Sequence, residues 1–274
     1  MSEIVIIGSG FVGSTLATYF GERAEVLKVD ITDLVAVEQA LNITRPKVVI
    51  NAAANTNTAA LELPENQAAG YQVNVQGPAN LAFVCDQIGA VLVHFSTLMQ
   101  FSDPVTDEDA APSPRGYYAL TKAWADAQLQ VVHPKSTLIL RIATPISSQA
   151  HPKNLLTKLT NFSEVVSEPA SLTVIDDLGP AIDALLAAGT RGVVAMVNPN
   201  PISFLEIATM LTEAKLREAL PAAISGNELN ARAVAAGKPE QVFLCIEPQK
   251  MARLGVALPD TREAVAQAIT NYTA

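Results

Sequence analysis

The stretch Ile4-Val5-Ile6-Ile7-Gly8-Ser9-Gly10-Phe11-Val12-Gly13 decides the fold. A β-branched apolar run reads as a strand. The glycines at 8, 10 and 13 then make a turn that opens a helix over Ser14–Phe20. In a GxGxxG turn of this kind Gly8 permits the tight bend, Gly10 lets the backbone approach a pyrophosphate, and Gly13 lets the helix pack closely on the sheet. The free N–H groups and positive dipole end at the start of the helix favour phosphate. Strand, turn and helix in this order predict dinucleotide binding; the alternative is a structural strand-to-helix turn.

Outward from this unit, strands are expected at Glu3–Ile7, Glu25–Val29, Lys47–Asn51, Val91–Phe95 and Thr137–Arg141. Between them lie helices at Pro78–Ile88, with Pro just inside its start and Gly89 at its end, and at Gly116–Val132. The alternation implies a parallel sheet covered on both faces. Farther on, Leu172–Ile175 reads as a strand, Asp176 and Asp177 stand where they would cap a helix at Leu178–Ala188, and Gly192–Val197 reads as another strand. Ser203 and Glu206 have the spacing of a capping box. Weak periodicity over 147–168 and 221–237 fits a lobe built from insertions. The expected class is α/β, a Rossmann-like doubly wound parallel sheet with a small C-terminal α/β substrate lobe. Residues 1–146, with a return near 172–198, form the dinucleotide-binding part; 147–171 and 199–274 form the lobe.

Composition narrows the function. The 274 residues are 49% hydrophobic and 16% charged, and carry a formal charge of −9. That is ample for a core and gives no basic footprint for nucleic acid. No apolar run reaches the roughly 18 residues of a membrane span, and the N-terminus shows no signal-peptide pattern, so a soluble, cytoplasmic protein is expected. Cys85 and Cys245 have no partner at ligand spacing, and both are expected to be buried free thiols. His94, His133 and His151 match no metal-binding pattern, so no metal is expected.

Three further sets of residues bear on chemistry. Asp30 follows the second expected strand, 17 positions after Gly13, where an acid takes ribose hydroxyls and repels a 2′-phosphate. This favours NAD(H) without excluding NADP(H). Asp30 could instead cap the next helix with Thr32 and Asp33, and Lys28 nearby could soften the discrimination. Tyr118 and Lys122 project from one helix face. An ammonium beside a phenol, with a cationic nicotinamide ring, moves its pKa towards the working range. Ser96 and Thr97 bring hydroxyls to a strand's C-terminal end, where open α/β sheets bind ligands. The alternative is a surface helix and a capping Ser-Thr pair.

The chain resembles the extended short-chain dehydrogenase/reductases, most closely the dTDP-4-dehydrorhamnose reductase branch. Asp30-Ile31-Thr32-Asp33 resembles that branch's DxTD element, Arg45-Pro46-Lys47-Val48-Val49-Ile50-Asn51-Ala52-Ala53-Ala54 its RPDVVINAAA strand, and Val73-Asn74-Val75-Gln76-Gly77 its VNxxG run. Tyr118-Ala119-Leu120-Thr121-Lys122 is similar to YGxSK. Near the end, Ile202-Ser203-Phe204-Leu205-Glu206-Ile207-Ala208 is similar to ISWYEIA, and Leu258-Pro259-Asp260 falls in a segment similar to the branch's ending.

The resemblance implies that Gly10, Phe11 and Val12 hold the pyrophosphate, with Gly8 and Gly13 shaping the turn. Asp30 and Ile31 would hold the adenosine end, and Ala52, Ala53 and Ala54 the nucleotide backbone. Thr97 and Tyr118 would hydrogen-bond a sugar carbonyl beside Ser96, while Lys122 would bind the nicotinamide ribose and tune Tyr118. The branch's STDYVF becomes Ser96-Thr97-Leu98-Met99-Gln100-Phe101, and its RTSWVYG becomes Arg141-Ile142-Ala143-Thr144-Pro145. Leu98 thus replaces an acid and Thr144 stands for a Trp at the substrate pocket, which implies altered sugar preference and a poor rate on the standard rhamnose precursor. The reading is an NAD(H)-dependent reductase of a nucleotide-linked keto-sugar. A nucleotide-sugar epimerase or dehydratase, or a non-catalytic NAD(P)-binding regulatory subunit, is the alternative. The partner is a nucleotide-sugar, not nucleic acid or membrane, and a homodimer is left open.

Overall fold

Ile4–Ile7 forms β1, and all four side chains are buried because strands flank it and helices cover both its faces. In the computed structural model, which describes residues 3–102, 108–237 and 240–273, β1 is followed by α1 (Phe11–Phe20), β2 (Ala24–Leu27), α2 (Leu34–Thr44) and β3 (Val48–Asn51). Then come α3 (Thr58–Leu61), α4 (Pro64–Tyr71), a π-helical turn at Gln72–Gln76, α5 (Gly77–Ile88), β4 (Val91–Thr97), α6 (Tyr117–Val132) and β5 (Thr137–Ile142). The next part holds β6 (Thr144–Ile146), α7 (Leu155–Leu159), β7 (Glu164–Val166), β8 (Pro169–Ala170), β9 (Leu172–Val174), α8 (Leu178–Ala187) and β10 (Gly192–Met196). The described chain ends with β11 (Ile202–Ser203), α9 (Phe204–Glu213), β12 (Ala222–Ile224), α10 (Gly226–Ala235), α11 (Gln249–Arg253) and α12 (Thr261–Thr270).

The main sheet has six strands in the order β2-β1-β3-β4-β5-β10, all parallel. The chain leaves β1 towards β2 and returns to β3 on the other side. That reversal opens a crevice beyond the C-terminal ends of β1 and β3, the usual ligand position in open α/β sheets. Alternate residues feed the two faces. Ile4, Ile6, Val93 and Leu138 pack under Leu16, Phe20, Ile182 and Leu185 of α1 and α8. Val5, Ile7, Val49 and Ile139 pack under Val37, Leu81 and Leu129 of α2, α5 and α6. Each large side chain so buried contributes about 1.5–3 kcal/mol over its exposed state. A separate apolar cluster joins Leu156, Leu159, Leu172, Ile207, Leu211 and Val265, while Met251, Val256 and Leu258 return to the sheet core.

Several local expectations change. β2 ends at Leu27, so Asp30 lies in the loop beyond it. The Asp176 carboxylate does not cap α8: it accepts from Ser147 Oγ and Ser148 N, both at 2.7 Å, and Asp177 makes no side-chain cap. Cys85 is buried, but Cys245 is exposed. Leu244 and Ile246 turn inward, so the extended backbone turns Cys245 outward, its thiol donating to Pro169 O. The Ser203–Glu206 capping box forms as expected, with Glu206 N donating to Ser203 Oγ and Ser203 N to Glu206 Oε2. Among the described residues, no helix is long and apolar enough to cross a membrane, and no group of three or more His, Cys, Asp or Glu could hold a metal ion.

Candidate active site

The three glycines of the first turn do different things. Gly8 has φ +100°, and a Cβ there would lie 2.5 Å from Ala53 N and 2.7 Å from the Ala52 carbonyl carbon. A Cβ on Gly13 would lie 1.8 Å from Gly8 O. Both are closed by their neighbours. Above Gly10 there is nothing within 4 Å, and Gly10 begins α1 with no side-chain cap. Its first turn therefore presents unsatisfied N–H groups to open space, the arrangement a pyrophosphate fits. Phe11 is buried and stacks on His151, ring centroids 4.6 Å apart, and Val12 packs against the sheet core. Both offer backbone rather than side chain to a ligand.

Across the crevice, Ala52, Ala53 and Ala54 follow β3. Asn51 Oδ1 accepts from Ala53 N at 3.1 Å. The next loop is tied to α6 by Asn74, buried on the π-helical turn: its Oδ1 accepts from Asn55 N, and its Nδ2 donates to Asn55 O and to Thr121 Oγ1. At the far end, Asp33 is the cap of α2, accepting from Ala36 N. Asp30 instead uses one oxygen, Oδ1, to accept from Thr32 N and Thr32 Oγ1. Those bonds hold its pKa below the usual carboxylate value, and Oδ2 has no partner among the described residues. Ile31 is buried against Gly77, and its carbonyl accepts from Asn80 Nδ2.

Tyr118 and Lys122 occupy successive turns of α6, which packs on β4 and on the turn after it. Thr97 ends β4; its Oγ1 accepts from Met99 N at 3.1 Å, so it caps that turn and keeps its own proton available. Ser96 Oγ is buried without a partner among the described residues. Lys122 is 2% exposed. Its Nζ donates to Phe95 O at 2.6 Å and lies 3.1 Å from His94 Nε2. Burial pulls the Lys122 pKa down to about 8 against the opposing pull of Asp126. Without a nicotinamide ring beside it, burial, with Asp126 adding to it, pushes the Tyr118 phenol up to about 12. Lys122 Nζ, bonded to β4, makes no hydrogen bond to Tyr118 among the described residues.

On the substrate side, Leu98 is buried with Phe101, Val197, Leu244 and Ile246, so its side chain belongs to the interior. Gln100 is also committed, Nε2 donating to Thr97 O and Asp126 Oδ2. Thr144, by contrast, is exposed at the start of β6. Beneath α6, Asp126 Oδ2 accepts from Arg141 Nε at 2.9 Å, both side chains almost wholly buried. The sequence reading missed His94, Asn51 and Asn74 as partners of the site. Their signal was a polar residue inside or at the end of an apolar segment, as in Val91-Leu92-Val93-His94-Phe95.

A parallel sheet with a glycine cradle at its switch point, a threonine at the end of β4 and a Tyr-Lys pair one turn apart define the extended short-chain dehydrogenase/reductase class. Within that class the chain belongs to the RmlD substrate binding domain family, whose model matches residues 1–274. A dTDP-4-dehydrorhamnose reductase of Mycobacterium tuberculosis is 31% identical over 175 residues, covering 60% of this chain and 56% of that protein. The trifunctional UDP-glucose 4,6-dehydratase/UDP-4-keto-6-deoxy-D-glucose 3,5-epimerase/UDP-4-keto-L-rhamnose-reductase of Arabidopsis thaliana is 27% identical over 217 residues, 74% of this chain and 32% of that protein. The matches thus span about a third to just over half of these two relatives. Among solved structures, the dTDP-4-dehydrorhamnose reductase from Bacillus anthracis in complex with NADP superposes with a TM-score of 0.86 at 22% identity, covering 98% of this chain and 99% of that one.

Proposed function

We propose that the protein is a pyridine-nucleotide-dependent reductase of a nucleotide-linked keto-sugar of the 4-dehydrorhamnose class, with NADH preferred to NADPH. The observation that carries this reading is a shared sheet edge: the open turn at Gly10 after β1, the Ala52–Ala54 segment after β3 and the end of β4, on which α6 with Tyr118 and Lys122 packs, follow one another along neighbouring strands. The names of the mycobacterial and Arabidopsis relatives support the substrate class. Residues 1–146 with the return at 172–198 serve as the dinucleotide half, and 147–171 with 199–274 as the substrate lobe, a division supported by the separate cluster around Leu156, Ile207 and Val265.

When bound, the nicotinamide supplies hydride from its C4. The first-turn N–H groups of α1 hold the pyrophosphate, and Asp30 Oδ2 accepts from the adenosine ribose hydroxyls. Thr97, its oxygen already accepting from Met99 N, donates its proton in a hydrogen bond to the sugar carbonyl oxygen. Tyr118, protonated well past neutrality, gives its phenolic proton to the same oxygen as the alkoxide develops. Lys122 engages the nicotinamide ribose and, as an ammonium, stabilises the phenolate left behind. The exposed Thr144 leaves room for a ring substituent where the branch carries a Trp.

The test is NADH absorbance with a panel of dTDP- and UDP-linked 4-keto-6-deoxy sugars. Net oxidation in proportion to sugar consumed is expected. Sugar conversion with retained cofactor and no net oxidation would mean an epimerase or dehydratase instead, and binding without conversion a regulatory subunit.

A further inference from the structure

We infer that His94, held by Asn51, is a positioning residue that docks Lys122 as a neutral amine in the cofactor-free protein in alkaline solution, so that cofactor binding there takes up a proton at Lys122. The dock stands on donor and acceptor arithmetic; the coupling to cofactor rests on the reading of Lys122 as the ribose-binding group. Ala53 N–H donates to Asn51 Oδ1. A flipped amide would set an NH₂ group against that N–H, so Asn51 Nδ2 is the atom that faces His94 Nδ1, at 3.1 Å. Nδ1 must then be bare. His94 is fully buried, and burial holds its pKa well below the ordinary value, so the ring with its bare Nδ1 is neutral and its one proton sits on Nε2. That N–H points at Lys122 Nζ. An ammonium has no lone pair to receive it; an amine has one, and still donates to Phe95 O.

The polarity therefore runs in one direction from Ala53 through Asn51 and His94 to Lys122 and Phe95. Of the charged groups around the amine, Asp126 on α6 opposes this state, but its Oδ2 is already taken by Arg141 of β5 and by Gln100. Glu62 caps the start of α6 at Tyr117 N. Tyr118 is neutral, and Asn51 of β3 and Thr121 of α6 carry no charge. On binding cofactor, the Lys122 amine takes a proton from solvent, becomes an ammonium and donates to the ribose hydroxyls in place of accepting from His94.

Nitrogen NMR of protein with ¹⁵N-labelled histidine and lysine, free of cofactor, reads the dock directly. His94 is expected as the neutral Nε2–H tautomer at pH 9, where Lys122, assigned by its loss in Lys122→Met, is on the amine side of a midpoint near 8. A Nδ1–H tautomer or a cationic ring, with Lys122 charged to pH 10, would overturn the inference. Asn51→Asp offers Nδ1 only an acceptor, so it should switch His94 to the Nδ1–H form or make it cationic, and raise the Lys122 midpoint by about 1 pH unit or more; an unchanged tautomer in a folded variant also overturns it. Calorimetry of NADH binding at pH 9 in buffers of different ionisation heat should show uptake approaching about one proton in the wild type and less in Asn51→Asp. If the spectra are as expected and no uptake is seen, the dock stands, while the ribose-binding role of Lys122, and with it that part of the proposed function, falls.

Discussion

Tyr118 reaches the site as an ordinary protonated phenol, and its reactivity depends on what is brought to it. Burial and Asp126 raise its pKa, and Lys122, which as an ammonium would lower it, is bonded to β4. A Tyr118→Phe variant should therefore fold and bind cofactor normally yet lose about 10²-fold or more in turnover, the usual size of a general-acid contribution. Steady-state rates beside a cofactor titration check this, and an unaffected rate removes Tyr118 from the mechanism. Asp30 gives a second residue-scale expectation. Its free Oδ2, next to an Oδ1 pinned by Thr32, should favour NADH over NADPH, and Asp30→Ala should narrow that preference chiefly by relieving the repulsion of a 2′-phosphate. Fluorescence titration of both cofactors decides it; equal affinities in the wild type would leave Asp30 with a local turn-forming role alone.

At the scale of elements, the joint at the π-helical turn ties the loop after β3 to α6. Asn74 holds the loop after β3 to Thr121, and π-helical turns of this sort recur at functional sites. Asn74→Leu would strand the Asn55 N–H and C=O, at a cost of roughly 1–3 kcal/mol for each buried group left unpaired. Cofactor affinity is expected to fall along with the unfolding midpoint, measured by titration and urea denaturation. A stability loss with unchanged affinity would mean that the loop keeps its place without Asn74. This joint also marks where sequence reading stops. The glycine turn was legible because Gly8, at φ +100°, and Gly13, against Gly8 O, answer constraints within the turn, and the capping box because its partners lie three residues apart. Asp176 looked like a cap but found Ser147 and Ser148 across the fold. Cys245 looked like a core thiol but fell on the outward beat of an extended segment. Lys122 was identified by spacing, yet its docking on His94 depends on strand register, Asn51 standing opposite His94, which a single sequence does not display.

For the whole molecule, the two buried nitrogen bases at the centre of the sheet set how stability changes with pH. Lys122 titrates near 8 in the fold and at about 10.4 when unfolded. Between these values the unfolded chain holds more protons, so stability rises with pH through that window and the advantage is lost as pH falls towards 8. His94 acts on the acid side. Its folded pKa lies well below its ordinary value, so below about pH 6.5 the unfolded chain binds a proton that the fold refuses, and stability falls. Lys122→Met separates the alkaline part from every other group, because the remaining tyrosines and lysines titrate alike in both proteins. The urea-unfolding free energy of the wild type minus that of Lys122→Met should grow by on the order of 2–3 kcal/mol between pH 7.5 and 10.5. Near neutrality the variant should match or exceed the wild type, since it buries no amine. A difference that stays flat across this range would mean that Lys122 keeps its ordinary pKa in the fold, and the amine would then lie in a wetter place than its contacts with His94 and Phe95 describe.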